Sequence, residues 1–281
     1  MSKSINIGTK KISNIIIYFL LILFTILFIY PIFWLLLNSF KTATELFDSP
    51  WSLPNSFSFE NYIRAIIIGN VGRYFINSTI VTSIVVLLST TLSAMAAYGI
   101  QRLRWKFSTL VLSIFLLGLT IPSHATIVPL FSMFNTLRIN NTYVAVIIPH
   151  IVFTVPISIF ILTGFFKTIP LEMEEAAVVD GYSIPKAFIK IIIPMSTTSL
   201  VTVAVITFIT AWNDLLFPQI FLSDPSMMTL PVGLTSFQGR YSTDYVGMIA
   251  AVVITIIPSI ITYCFLHRRI IDGMVAGAVK G

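Results

Sequence analysis

The stretch Phe165-Phe166-Lys167-Thr168-Ile169-Pro170-Leu171-Glu172-Met173-Glu174-Glu175-Ala176-Ala177-Val178-Val179-Asp180-Gly181, continuing through Tyr182-Ser183-Ile184-Pro185 to Ile191-Ile192-Ile193-Pro194, decides how the chain is read. Pro170 suits the first turn of a helix, Glu172, Glu174 and Glu175 put negative charge at its positive end, and Gly181 supplies a left-handed stop. The spacing predicts a helix of about ten residues, roughly 15 Å long. A second start follows at Ser183-Ile184-Pro185, with Phe188, Ile191 and Ile192 on one face, and Pro194 marks re-entry into an apolar run. A charged helix–turn–helix, loop 167–194, is thus held between two runs without any charged residue, Ile139–Phe166 and Ile191–Asn213.

Working outward, the same pattern recurs. Uncharged runs also cover Ile12–Phe40, Tyr74–Gln101, Phe107–Arg138 (ending just before the arginine) and Tyr245–Leu266, and each of the six has 22 residues or more. A bilayer's hydrocarbon core takes about 20 apolar residues to cross. Hydrophobic residues make up 56% of the chain and charged ones 10%, with a mean hydropathy of +0.94, so a soluble fold is excluded. Backbone amides in lipid are satisfied within helices or closed barrels, and the runs lack the alternation of barrel strands. The expected fold is an all-α integral membrane protein with six transmembrane helices.

Lys and Arg orient it. With the N-terminus inside, the cytoplasmic segments hold Lys3, Lys10, Lys11, Arg102, Arg104, Lys106, Lys167, Lys186, Lys190, Arg268, Arg269 and Lys280, against Lys41, Arg64, Arg73, Arg138 and Arg240 outside. That asymmetry places both termini in the cytoplasm. The net charge of +6 therefore reads as a topology signal and a contact with the anionic lipid bilayer, and no nucleic acid is expected as a partner.

The organisation that follows is a cytoplasmic tail 1–11, a first transmembrane helix 12–40, an external loop 41–73, a core 74–266 with five further crossings, and a cytoplasmic tail 267–281. The first run follows a basic tail but is too long for a signal peptide and lacks a cleavage site, so it stays as an anchor. The external loop, with Pro50, Trp51 and Pro54, is long enough for a small cap of irregular structure and short helix. Pro122 and Pro129 interrupt the third run; its span is expected to end near Pro122, with a short interfacial helix over Leu130–Leu137. Cys264 is the single cysteine and forms no internal disulfide.

Within the spans, Asp214 is the only carboxylate, and an intramembrane charge is costly enough to mark a candidate pathway residue. It equally suits a structural residue that pairs with Asn213 or caps a broken helix. Trp212 suits packing better than stacking on a sugar, and His150, beside Pro149, suits a kinked backbone better than a ligand. With no His or Cys close in sequence, no metal site is expected.

The spacing Glu175-Ala176-Ala177, three residues, Gly181, nine residues, Ile191, one residue, Ile193-Pro194 resembles the EAA signature of permease subunits in binding-protein-dependent ABC importers, departing in Ile193 where leucine is usual. The resemblance reaches the maltose-type carbohydrate class through Asn38-Ser39-Phe40-Lys41-Thr42 with Glu45, Leu53-Pro54 and Asn61-Tyr62, through Trp212-Asn213-Asp214, and through the ending Gly273-Met274-Val275-Ala276-Gly277-Ala278-Val279-Lys280-Gly281. It implies a type I ABC importer permease fold in the bacterial cytoplasmic (inner) membrane, passing a sugar or oligosaccharide.

The same resemblance implies the partners: a second homologous permease subunit, two ABC ATPase subunits that carry ATP and Mg, and an extracellular or periplasmic sugar-binding protein. It makes the loop a coupling helix seated in the ATPase, through Leu171, Glu172, Glu174, Glu175, Ala176, Ala177, Asp180, Gly181 and Pro194. It sends the glycine-rich tail, with Gly273, Gly277, Lys280 and Gly281, toward the ATPase pair, and leaves Trp212, Asn213 and Asp214 as pathway candidates. No phosphate-binding loop of the Gly-x-x-x-x-Gly-Lys-Ser/Thr type is present, so this chain binds no cofactor and hydrolysis comes from partners. A secondary transporter has no use for such a loop, and a membrane enzyme would need a catalytic set that is missing.

Overall fold

The computed structural model describes residues 7–103, 105–239 and 243–278, with side chains over 14–103, 105–239 and 243–266. In chain order its helices are α1 (Ile7–Asn38), α2 (Ala43–Asp48), α3 (Glu60–Ile67), α4 (Val71–Arg102), α5 (Ser108–Leu117), α6 (Ile127–Thr136), α7 (Tyr143–Phe166), α8 (Glu172–Val179), α9 (Ile184–Ala187), α10 (Ile193–Met195), α11 (Thr197–Trp212), α12 (Leu216–Phe221), α13 (Leu230–Leu234) and α14 (Tyr245–Ala278).

Four of them carry apolar stretches long enough to cross a membrane: Asn14–Asn38, Val71–Arg102, Tyr143–Phe166 and Tyr245–Leu266. Two more candidates are bent pairs, Ser108–Thr120 with Ser123–Thr136 at 88° and Ile184–Met195 with Thr197–Trp212 at 79°, which bring the spans to six when each pair counts as one. The first bend brackets Pro122, where the third span was expected to end, and α6 overlaps the short helix expected at Leu130–Leu137. The second bend falls at Ser196, two residues beyond Pro194, where re-entry was expected: the run Ile191–Asn213 counts as one span, but its first residues belong to the wide turn Phe188–Ile192 and to α10. Hydropathy alone does not report such a corner.

The described chain divides into two compact units. One comprises residues 1–69 with 237–254. Here the expected cap contains two short helices. Thr42 starts α2 with a capping box, its hydroxyl accepting from the Glu45 amide at 3.2 Å while Glu45 Oε2 accepts from the Thr42 amide at 2.8 Å. The Thr42 amide is the largest influence holding the Glu45 carboxyl below its usual range. Lys41 is buried to 1% and donates to the Ser49 carbonyl at 2.8 Å, a cation at the C-terminal end of α2. Asn61 of α3 ties the same corner by donating to the Ser39 and Lys41 carbonyls.

The second unit, residues 70–236 with 255–281, is built on α4, α7 and α11 packed together. The buried face of α4 includes the small residues Ser78, Ser89, Ser93, Ala94 and Ala97, which let helices approach closely without a water-driven hydrophobic force. Ser89 and Thr154 share a hydrogen bond at 2.8 Å across α4 and α7. Two apolar clusters lie along the bundle. One joins Val81, Val85, Phe134, Val146, Phe217 and Phe221; the other joins Ala97, Tyr98, Leu162, Phe166, Ile192 and Val203. Gly233 of α13 lies flush on Tyr74: a Cβ there would stand 2.1 Å from the ring.

The chain's end departs from expectation. A glycine-rich tail was expected from Gly273 onward, yet α14 continues as helix to Ala278. Two glycines cost a helix only about 1 kcal/mol each, and Met274 and Ala276 between them are good helix formers.

Candidate functional site

The loop between α7 and α11 forms the helix–turn–helix that its sequence predicts, shorter than expected: α8 has eight residues and opens two residues after Pro170, with Leu171 at its N-cap. Its stop is a Schellman motif. Gly181 has φ +81, its amide donates to Val178 O at 3.0 Å, and the Tyr182 amide donates back to Ala177 O at 2.9 Å.

The three glutamates of the first turn divide between two faces. Glu172 and Glu175 are exposed, and with Val178 and Val179, the latter 87% exposed, they form an open ridge. Glu174 shares a face with Ala177, three residues on, and that face is turned into the chain. Glu174 had been expected among the carboxylates offered to a partner; instead the structure commits it internally. Ala176 and Asp180 are exposed, Ala177 is buried, and Pro194 sits exposed in α10 before the bend.

What holds Glu174 is Arg102, the last residue of α4, whose side chain is 4% exposed. Its Nε donates to Glu174 Oε1. Its Nη1 donates to the carbonyls of Phe166 at 3.2 Å and Ile169 at 2.8 Å, and Nη2 donates to that of Pro170 at 3.3 Å. Tyr98, one turn earlier, donates its hydroxyl to Glu174 Oε2 at 3.1 Å. A planar guanidinium suits this task, since its fixed fork serves several acceptors at once. The Phe166 carbonyl lies in the last turn of α7, where acceptors have no intrahelical donor; it takes the Ile169 amide at 3.3 Å as well as the guanidinium, and a cation there is also favoured by the helix dipole. Sequence reading had counted Arg102 only as a basic residue beside a span. The one available signal was that Glu174 and Ala177 share a face opposite to Glu175.

The residues at the end of α11 are brought together differently. Trp212 is buried to 2%, stacked on Phe208, edge-on to Phe75, and donates its indole N–H to the Thr255 carbonyl at 3.1 Å. It packs, and no face is open for a sugar. Asn213 is exposed and donates to Ile209 O at 2.9 Å. Asp214 does not pair with Asn213. It accepts from the amides of Leu216 and Phe217 at 3.2 and 3.1 Å, capping α12, and its Oδ2 lies 3.3 Å from His150 Nε2. Gly273 and Gly277 fall within α14, whereas Lys280 and Gly281 lie outside the described residues.

Several apolar helices long enough to cross a membrane, with an inter-span helix anchored by a buried cation, define a multi-pass helical membrane protein. The chain belongs to the family of binding-protein-dependent transport system inner membrane components, whose model matches residues 89–270. It is 36% identical over 278 residues to the inner membrane ABC transporter permease protein YcjP of Escherichia coli, covering 97% of this chain and 98% of that one. It is 35% identical over 263 residues to the diacetylchitobiose uptake system permease protein NgcG of Streptomyces coelicolor, covering 93% and 87%. Among solved structures, a chain of a bacterial ABC transporter involved in alginate import matches with a TM-score of 0.81 at 20% identity, over 95% of this chain and 98% of that chain. The fold is thus that of a type I ABC importer permease, and the chain is a non-catalytic, multi-pass component of the inner membrane.

Proposed function

We propose that this chain forms half of the pathway of a sugar importer, passing a sugar or oligosaccharide handed over by an external binding protein. In this reading a second, homologous permease completes the pathway, two ATPase subunits carry ATP and Mg, and both termini lie in the cytoplasm. The observation that carries it is the helix α8: Glu175, Val178 and Val179 are exposed, while Glu174 fastens the opposite face to Arg102. An exposed apolar ridge beside a carboxylate suits a partner that offers an apolar cleft rimmed by basic groups. The sugar class is supported by the likeness to a diacetylchitobiose uptake permease. With Trp212 enclosed, Asn213 and the rim of Asp214 remain as pathway candidates.

The test is affinity purification of the tagged chain from its own membranes, with Gly181→Val alongside. An ATPase subunit is expected to co-purify with the parent chain, and its recovery to fall about tenfold with the variant, since a β-branched residue does not tolerate a left-handed stop. A parent chain that purifies without any ATPase and moves a labelled disaccharide into ATP-free vesicles overturns the proposal.

A further inference from the structure

Arg102 belongs to no motif of the loop, yet it bonds both to α8 and to the segment that leads into it. It stands at the end of α4, grips three carbonyls of the segment that leads from α7 into α8, and holds the carboxylate of Glu174 in α8 itself. The hydroxyl of Tyr98, on the preceding turn of α4, secures the other carboxylate oxygen. The ring of Tyr98 packs against Phe188, at a centroid distance of 4.7 Å, so the wide turn after α9 is drawn into the same cluster. Behind it lie the fully buried side chains of Leu162, Phe166 and Ile192.

We infer that Arg102 is a positioning residue that locks α8 to the ends of α4 and α7, so that a push on the exposed ridge is delivered to two membrane helices at once. This rests on the proposed coupling role of α8 and adds the part that transmits. The physical reason is stiffness. A short helix on two loops is joined to its bundle by flexible backbone, and a displacement of it is absorbed there. Four charge-assisted donations from one planar group remove that freedom, because no torsion of the 167–171 link is possible without breaking at least one of them. The neighbouring carboxylates lack this function: Glu172 and Glu175 are exposed and stay available to a partner.

The inference is tested by amide hydrogen exchange on the full complex in nanodiscs, without nucleotide and after trapping with Mg-ATP and vanadate. In Arg102→Gln, exchange in peptides covering 167–181 is expected to rise about tenfold while peptides from the middle of α7 and from α11 stay protected. The nucleotide-dependent change in exchange at the inner-end peptides of α4 and α7 is expected to shrink, although the ATPase is still bound. Arg102→Lys, which keeps the charge and loses the fork, should fall between the two. Unaltered exchange over 167–181, or a uniform rise across the whole chain, overturns the inference. If Arg102→Gln does not assemble, Glu174→Gln takes its place: its carboxamide keeps the bond to Tyr98, and a partial rise confined to 167–181 is required. A parent complex that lacks an ATPase overturns the proposed function alone, since the local exchange measurement still reads the lock.

Discussion

Two pairs of ionisable side chains inside the same unit invite comparison. At one, Arg102 spends its donors on Glu174 and three carbonyls, and the two side chains are 4% and 16% exposed. At the other, His150 and Asp214 are 3% and 18% exposed and 3.3 Å apart, yet His150 Nε2 completes no hydrogen bond, and the carboxylate is occupied by the amides of α12. Burial is almost equal and bonding is not. A buried charge is held by the number of its aligned partners, and removing one member hurts in proportion to how many groups it leaves unsatisfied.

That difference sets a scale of effects. Arg102→Ala leaves the buried carboxylate of Glu174 with Tyr98 alone and takes a donor from each of three carbonyls, and should destabilise the detergent-solubilised chain by about 3–5 kcal/mol, read as a lowered thermal midpoint. Asp214→Ala removes only the cap of α12 and should cost about 1 kcal/mol by the same measurement. His150→Leu, which replaces an imidazole without a hydrogen bond at Nε2 by a side chain of similar bulk, should stay within about 1 kcal/mol of the parent. Equal losses for Arg102→Ala and His150→Leu would break the comparison.

The smallest effect belongs to a partly exposed group used as a contrast. The Glu45 carboxyl is held below its usual range, first by the Thr42 amide, so its contribution to the start of α2 is complete above the ordinary carboxylate range and is lost as pH falls through the lowered value. The protection factor of amides over 42–49, taken against the unstructured chain at each pH, should therefore fall only in acid, and Glu45→Gln should abolish that pH dependence. A dependence that survives the substitution would assign it to another group.

The comparison also shows what was legible in the residues. Runs of apolar sequence gave the crossings, Pro122 gave the break in the third, and Gly181 gave the end of α8, because each of these is a local property of a few consecutive residues. Asp214 drew notice for the same reason, as a charge inside a span. The Arg102–Glu174 lock joins residues 72 apart and is invisible to any local pattern. Arg102 counted only toward topology, and Glu174 was grouped with its neighbours when its face sets it apart from them. The corner at Ser196 was marked only by Pro194, because both of its arms are equally apolar, and the helical tail stayed hidden because its glycines suggested looseness.

One further consequence lies in α14. Its 34 residues, at about 1.5 Å each, make a rod roughly 51 Å long, whereas the oily interior of a bilayer is about 30 Å thick. Some 20 Å of mast is left over, carrying its own internal hydrogen bonds into water. Whatever meets its final turns finds a direction already set and is spared the ordering entropy of catching a loose tether.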